Sequence, residues 1–157
     1  MPAREFVVGV ISDTHGLLRP EALDVLRGSD MIIHAGDVGK LEVIERLGEI
    51  APLHVVCGNI DKGNWAAALP LTELVDVGDH RFFVLHDIAQ LDVDPVAAGF
   101  GAVVFGHSHR PSIETRNGVL FLNPGSAGPR RFKLPITVAR VKTSGRQIRA
   151  DIVDLGT

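Results

Sequence analysis

The stretch FVVGVISDTHG at residues 6–16 begins with an apolar run and ends with an aspartate and a histidine two positions apart. The apolar part, Phe6–Ile11, is rich in β-branched residues and predicts a strand that is buried on both faces. Further short apolar runs end in the same way, in side chains that bind metals: Asp37, Asn59, His86, and the pair His107 and His109. Because open α/β sheets carry their sites where strands end along one edge, the sequence predicts that these side chains converge with Asp13 and His15.

The predicted cluster has seven members, which are two aspartates, one asparagine and four histidines. Nitrogen and oxygen ligands without thiolate suit Mn, Fe, Ni or Zn better than Ca or Mg. Seven ligands are too many for one ion, whereas two ions that share a carboxylate would use all of them. The sequence therefore predicts a dinuclear metal centre.

Composition limits the class of protein. With 157 residues, 45% of them hydrophobic, residues 1–157 are expected to form one domain with a substantial core. Sixteen Lys and Arg against nineteen Asp and Glu, with no basic run, argue against stable nucleic-acid binding. The N-terminal apolar run is too short for a signal peptide, and no stretch reaches membrane-spanning length. A cytoplasmic protein without membrane association is expected, and homo-oligomerisation is left open.

The first half of the chain alternates strands and helices. Short apolar runs predict buried strands at Phe6–Ile11, Met31–Ile33, Leu53–Val56 and Ala102–Phe105. Pro20 at a helix start and a stop at Gly28 frame a first helix. A second helix is predicted at Leu41–Gly48, where apolar side chains share one face.

The second half is rich in strands. Antiparallel or hairpin strands are predicted at Glu73–Val77, Arg81–Leu85, Ser112–Arg116, Val119–Asn123, Ile136–Val141 and Ile148–Leu155. The dipeptide Asn117-Gly118 favours a type I′ turn in the central hairpin. A βαβα start followed by these strands predicts an α/β sandwich of two mixed sheets with helices outside.

The ordered series D-x-H, G-D, G-N, H and G-H-x-H resembles the calcineurin-like metallophosphoesterases, specifically the small single-domain phosphodiesterase branch of bacteria and archaea. The resemblance extends from Asp13 through the loop Asn123-Pro124-Gly125-Ser126. It implies a four-layer α/β/β/α sandwich. It also implies that Asp13, His15 and His109 hold a first ion, that Asn59, His86 and His107 hold a second, and that Asp37 bridges them.

This resemblance implies a phosphodiesterase that hydrolyses a small phosphodiester with a metal-bridging hydroxide. Sharing a hydroxide and a carboxylate offsets the repulsion of two ions about 3.5 to 4 Å apart, and coordination lowers the pKa of water toward about 7. Asp37, Asn59 and His107 are the expected catalytic residues, the last two because they can also touch the phosphate. Mn²⁺ is the first expectation for the metal, with Fe, Ni, Zn and Co as alternatives.

Two other functions stay open on the same fold. A phosphomonoesterase or nucleotidase would need cations around the extra charge of a monoester, and only Arg130, Arg131 and Lys133 are candidates. A retromer subunit of this fold is a protein-binding scaffold with a degraded metal site. Retention of ligating side chains at all seven positions counts against pure scaffolding.

The chain departs from the family pattern at two positions. His86 lies between Leu85 and Asp87 where the family usually has G-H-G, and the Asp87 carboxylate could orient a ligand, add a ligand or repel an anionic substrate. Larger phosphoprotein phosphatases carry a histidine where this chain has Ile60. Asp61 then lacks its usual partner, so a dedicated general acid is in doubt.

Four further residues receive simpler interpretations. Cys57, the single cysteine, excludes an internal disulfide and is expected to be a buried structural thiol. His34 either supports the ligand loops through a hydrogen bond or is purely structural. His54 and His80 lie away from the series and are expected to be ordinary strand or turn residues.

Overall fold

The computed structural model describes residues 4–156, and its main feature is a pair of facing five-stranded sheets. The first sheet contains β1 (Glu5–Ile11), β2 (Met31–His34), β3 (Leu53–Val55), β9 (Thr137–Ser144) and β10 (Gln147–Asp154). The second contains β4 (Thr72–Val77), β5 (His80–Leu85), β6 (Ala102–Val104), β7 (Ser112–Arg116) and β8 (Val119–Asn123). The strand orders are β10-β9-β1-β2-β3 and β4-β5-β6-β8-β7.

Both sheets mix parallel and antiparallel strands. β1, β2 and β3 run parallel, and β9 and β10 pair antiparallel beside β1. In the second sheet β5, β6 and β8 run parallel between two antiparallel edge strands. The register pairs Ile11 at the end of β1 with His34 at the end of β2. The two following loops therefore leave the sheet side by side.

The main core lies between the sheets, and the alternation of side chains along each strand builds it. In β8, Leu120 and Leu122 point into this core, while Val119 and Phe121 point to the outer face of the second sheet. A fully buried side chain such as Leu122 contributes about 1.5 to 3 kcal/mol of transfer free energy. The sandwich is thus held mainly by apolar burial between its two sheets.

Two helices, α1 (Pro20–Leu26) and α2 (Leu41–Gly48), pack on the outer face of the first sheet. The outer face of the second sheet is covered by a 3₁₀ helix at Ile88–Gln90 and the irregular segment 91–101. Phe100 from that segment stacks on Phe83 with ring centroids 5.2 Å apart. The fourth layer is therefore thin.

The structure confirms the predicted α/β sandwich of two mixed sheets with helices outside. The predicted strands and helices recur with ends shifted by at most three residues, the largest shift being that of the strand predicted at Ile136–Val141, which ends at Ser144. Asn117 and Gly118 both have positive φ, as a type I′ turn requires. Within residues 4–156, no helix has the length and apolar character needed to cross a membrane.

Candidate metal centre

The loops after β1 and β2 are joined by backbone hydrogen bonds at the edge of the first sheet. Asp13 N donates to Gly36 O over 3.0 Å, and His15 N donates to Asp37 O over 3.0 Å. These bonds place the side chains of the two loops next to each other. The D-x-H and G-D motifs therefore form one surface at the ends of neighbouring parallel strands.

Six of the seven predicted ligands form two groups. The ligand atoms of Asp13, His15 and His109 all lie within 4.8 Å of one another, and so do those of Asp37, His86 and His107. Asp37 Oδ2 lies between the groups, 3.6 Å from His15 Nε2 and 3.3 Å from His86 Nε2. Asn59, the seventh, is an exposed residue that borders a cleft beside His86 and His107.

Several polar atoms that face this cluster are buried without a hydrogen-bond partner. Among the described residues they include Asp13 Oδ1, His15 Nε2 and His86 Nε2. Burying such atoms unpaired is costly, and buried polar groups are nearly always satisfied. Carboxylate oxygens and imidazole nitrogens left in this state are suitable donors for divalent transition metals. The donor set therefore fits the predicted ions.

The surroundings of two ligands aim their free atoms at the cluster. His86 Nδ1 lies 2.7 Å from the carbonyl oxygen of Ala35, so this nitrogen donates and Nε2 keeps its lone pair. Asp13 Oδ2 accepts from Ser12 Oγ over 2.7 Å and from His107 N over 3.2 Å, which leaves Oδ1 free. Each side chain is held by one polar atom and offers the other.

The surroundings of the cluster shift the pKa values of its members in different directions. Burial raises the pKa of Asp13, whereas for Asp37 the opposing effect of burial is outweighed by the nearby His86 imidazole and by a hydrogen bond from Ile60 N, and its pKa falls to about 2. Burial would lower the pKa of His86, but the nearby Asp37 carboxylate and the hydrogen bond to Ala35 O raise it overall. Burial, followed by the positive charge of Arg131, lowers the pKa of His109 to about 4.

Five of the seven predicted ligands have left-handed backbone. The φ angles are 55° at Asp13, 48° at His15, 56° at Asp37, 71° at His107 and 65° at His109. Positive φ is uncommon outside glycine, although Asp, Asn and His tolerate it better than most residues. Such conformations cluster at functional sites, where the surrounding structure maintains them.

The glycines of the G-N and G-H motifs allow ligand loops to pack against one another. A Cβ atom on Gly58 would lie 2.0 Å from the backbone nitrogen of Asp37. On Gly106 it would lie 2.1 Å from Ser12 Oγ and 2.6 Å from Asp13 Oδ2. Neither position has room for a side chain, so both motifs need glycine for close approach.

His34 supports the ligand loops without facing the cluster. Its Nδ1 accepts from Gly36 N over 3.1 Å, and its Nε2 lies 3.0 Å from Thr14 Oγ1. Thr14 Oγ1 donates to Val38 O over 2.8 Å, so His34 Nε2 must be the donor to Thr14. His34 is therefore neutral and links the loop after β1 to the loop after β2. Of the two roles that the sequence left open, this favours support of the ligand loops through hydrogen bonds.

The burial of neutral His34 predicts a pH-dependent loss of stability. Burial lowers the pKa of His34 from 6.5 to about 3. Below pH 6.5, His34 therefore becomes protonated in the unfolded chain while it stays neutral in the folded chain. The stability from this group is complete above pH 6.5 and is lost as the pH falls toward 3, by roughly 5 kcal/mol in total. His34→Gln removes that titration. In metal-free protein, the free energy of unfolding of wild type should fall more steeply between pH 6.5 and 4 than that of the variant; equal slopes would contradict this account.

Asp61 is a structural carboxylate. Oδ2 accepts from Val38 N over 3.1 Å and from Gly58 N over 2.8 Å, and Oδ1 accepts from Gly39 N over 2.9 Å. Asp61 has no histidine partner among the described residues, in agreement with the sequence analysis, and its buried carboxylate is instead committed to three backbone N–H groups. Ile60 beside it is 41% exposed.

The loop that begins at Asn123 supports the opposite side of the cluster. Asn123 Nδ2 donates to Gly106 O over 3.0 Å and to Ser108 Oγ over 3.1 Å. Ser126 Oγ donates to the carbonyl oxygen of Asp13 over 3.0 Å. This loop therefore connects the G-H-x-H motif to the D-x-H motif. Together with His34 and Asp61 it forms a supporting layer that the ligand series alone does not reveal.

Cys57, Arg131 and Arg130 were also singled out in the sequence, and each has a different environment. Cys57 is partly exposed and borders the same cleft as Asn59, so the expectation of a buried thiol is wrong. It follows β3 at the sheet edge, where the chain emerges from the core. Arg131 is exposed but close enough to His109 for its charge to act on that imidazole. Arg130 Nη1 donates to Leu134 O.

The two remaining histidines lie outside the cluster. His54 in β3 pairs with Glu73 over 3.2 Å, and His80 in β5 lies 2.7 Å from the carbonyl oxygen of Gly145. Neither belongs to the two groups of metal-binding side chains among the described residues. Both therefore have the ordinary roles that the sequence predicted.

Comparison with known proteins gives independent information about the chain. Residues 6–146 match the family model described as the calcineurin-like phosphoesterase superfamily domain. A probable metallophosphoesterase from Methanothermobacter thermautotrophicus is 31% identical over 162 residues, covering 96% of this chain and 93% of that protein. A phosphodiesterase from Methanocaldococcus jannaschii is 24% identical, over 94% of this chain and 99% of that protein. Vacuolar protein sorting 29 from Cryptosporidium parvum shares the fold, with a TM-score of 0.78 and 19% identity over 96% and 97% of the two chains.

Proposed function

The chain belongs to the calcineurin-like phosphoesterase superfamily, and on that basis we propose that it is a dinuclear metal-dependent phosphodiesterase. The observation that carries the proposal is the position of Asp37 Oδ2, within 3.6 Å of His15 Nε2 and 3.3 Å of His86 Nε2. One carboxylate oxygen is thus within reach of ligands from both groups. This is the arrangement that a bridging ligand requires.

In the proposed centre the seven side chains divide between two divalent ions. Asp13, His15 and His109 would hold the first ion, Asn59, His86 and His107 the second, and Asp37 both. The mixture of imidazole, carboxylate and amide favours Mn²⁺, with Fe, Ni, Zn and Co as alternatives. The unpartnered atoms of Asp13, His15 and His86 support this division, because each would gain a partner from bound metal.

Bound ions would supply Lewis acidity toward the phosphoryl oxygens and a water of lowered pKa. The side chains of the protein have separate tasks. The hydrogen bond from His86 Nδ1 to Ala35 O fixes the orientation of that imidazole. Asp37 Oδ1 accepts from Ile60 N over 3.1 Å, which directs Oδ2 into the cluster. Asn59 and His107 lie at the rim of the cleft, where they can bind the phosphate of a substrate.

A diester is the preferred substrate because the cleft beside His86 and His107 offers little positive charge beyond the metals. Of the described residues that line the cleft beside His86 and His107, none is a lysine or arginine. A monoester carries additional negative charge that such cations would have to balance. The similarity to an archaeal phosphodiesterase supports the same choice.

The likeness to vacuolar protein sorting 29 favours a second candidate, a protein-binding scaffold. The two candidates differ in what they require of the cluster. A scaffold has no need for buried, unpartnered ligand atoms or for left-handed backbone at five ligand positions. Bound metal together with turnover of an aryl phosphodiester would support the enzyme, and metal-free protein without turnover would support the scaffold.

Because neither Ile60 nor Asp61 can act as a general acid, we expect kcat/KM to depend strongly on the pKa of the leaving group. Ile60 cannot donate a proton, and the Asp61 carboxylate is already occupied by three N–H groups. General acid catalysis commonly contributes about 10²- to 10⁴-fold, and its loss is felt most with poor leaving groups. For a series of substituted aryl methyl phosphodiesters, log kcat/KM should fall steeply as the leaving-group pKa rises.

The variant Ile60→His serves as the control for this prediction. With Asp61 committed to the loop, the new imidazole has no carboxylate to orient it, so the slope should stay the same. A flat plot for wild type would show that some residue does protonate the leaving oxygen. Aryl monoesters in the same assay should turn over more slowly than the matching diesters.

A further inference from the structure

The cleft beside the proposed second-ion ligands has a volume of about 370 Å³. His86 and His107 line it, together with Leu71, Asp87 and Gln90. A phosphodiester whose phosphate lies against the two histidines would place one of its ester groups in this cleft. The chemistry of Leu71, Asp87 and Gln90 therefore bears on which esters can bind.

Asp87 gives this cleft a negative charge, and the described residues that line the cleft include no lysine or arginine to neutralise it. Its Oδ1 accepts from Ala89 N over 3.0 Å and caps the 3₁₀ helix. Its Oδ2 lies 3.8 Å from His107 Nε2, which is its one ion-pair partner among the described residues. The side chain is 29% exposed, so the carboxylate is accessible from the cleft.

Leu71 and Gln90, which line the cleft with Asp87, are uncharged. Leu71 is 75% exposed and presents an apolar surface, and Gln90 adds an amide. An ester group with a second phosphate or a carboxylate would meet Asp87 without a compensating cation. A cationic group with an apolar body would instead gain both a charge partner and a contact with Leu71.

We propose that this cleft binds one ester group of the substrate and that Asp87 selects for a cationic group over a neutral one, and for a neutral group over an anionic one. The proposal rests on the phosphodiesterase function proposed above. It assigns Asp87 a role in specificity, and it places the preferred substrate among phosphodiesters of amino alcohols and similar cationic alcohols. It excludes diesters that carry a second anionic group at this position.

The test uses three p-nitrophenyl phosphodiesters with one leaving group and ester groups of similar size. The second ester group is choline, its uncharged isostere 3,3-dimethylbutyl, or the anionic 3-carboxypropyl. For Mn²⁺-loaded wild type, kcat/KM should fall in that order. Each step should be at least about threefold, the effect of a unit charge about 7 Å away in water, and it should shrink at high salt.

Asp87→Asn removes the charge and keeps an amide oxygen that can cap the 3₁₀ helix. The ratios between the three substrates should fall toward one in this variant. Asp92→Asn makes the same charge change on the exposed part of the same segment, away from the cleft lining, and should keep the wild-type ratios. If Asp87→Asn lowers all three rates by one common factor, the carboxylate acts through His107 or the metals and the proposal is wrong.

Binding separates this proposal from the proposed function. The methyl phosphodiesters of the same three alcohols are poor substrates, and their dissociation constants can be measured by calorimetry. If wild type binds them in the predicted order but hydrolyses none of the p-nitrophenyl esters, the enzyme proposal fails and the selectivity stands. If it hydrolyses all three at rates unrelated to charge, and binding shows no order, the selectivity fails and the enzyme stands.

Discussion

Asp37→Asn should reduce kcat/KM for an aryl phosphodiester by about 10³-fold or more, which corresponds to about 4 kcal/mol of transition-state stabilisation. Asparagine keeps the size of the side chain, tolerates the φ of 56°, and can still accept from Ile60 N. What it lacks is the negative charge between the two groups of ligands. Metal content, measured by elemental analysis after gel filtration, should fall to one ion or fewer per chain.

His54→Asn is the matched control for this experiment. It also alters a pair formed by a carboxylate and an imidazole, this time at the imidazole, and the pair His54–Glu73 lies outside the cluster. Activity and metal content should both stay at the wild-type level. If His54→Asn lowers activity as much as Asp37→Asn does, or if Asp37→Asn keeps two ions, the proposed bridging role is wrong.

Gly58→Ala should disrupt the site through packing alone. The new methyl group would lie 2.0 Å from Asp37 N and 2.2 Å from Asp37 Oδ1, so the loops after β2 and β3 must separate. Overpacking of this kind costs about 1 to 3 kcal/mol, and here the contact is with backbone, which cannot move aside as a side chain can. Both the free energy of unfolding and the affinity for Mn²⁺ should fall.

Gly48→Ala shows what the same substitution does where there is space. Gly48 is the last residue of α2, and a Cβ atom there would have no atom within 4 Å. Alanine should raise the free energy of unfolding by about 0.5 to 1 kcal/mol, because glycine loses more backbone entropy on folding. Urea denaturation of both variants measures the contrast. Equal effects of the two substitutions would contradict the role assigned to Gly58.

The strands and the convergence of the motifs could be predicted because both depend on local sequence. The β-branched residues of Phe6–Ile11 predict a strand. A side chain directly after a parallel strand must lie at the edge of the sheet where strands end. The proximity of Asp13 and Asp37 follows from that rule and from the pairing of β1 with β2. The site thus follows from element order before any tertiary contact is known.

The supporting layer could not be predicted, because its contacts join positions far apart in the chain. Ser126 Oγ reaches the carbonyl oxygen of Asp13, 113 residues away, and nothing near Ser126 in sequence signals this bond. Asp61 seemed to lack a partner because its partners are backbone N–H groups rather than a side chain. The exposure of Cys57 depends on where the chain leaves the sheet, which an apolar run does not reveal.

Locating and counting the bound metal ions is the most direct test of the central claim, the dinuclear centre. Anomalous diffraction from crystals of Mn²⁺-loaded protein should show two peaks, about 3.5 to 4 Å apart, as two-metal sites do. One peak should contact Asp13, His15 and His109, the other Asn59, His86 and His107, with Asp37 touching both. A single peak, or no peak in protein that binds less than one ion per chain, would contradict the dinuclear centre.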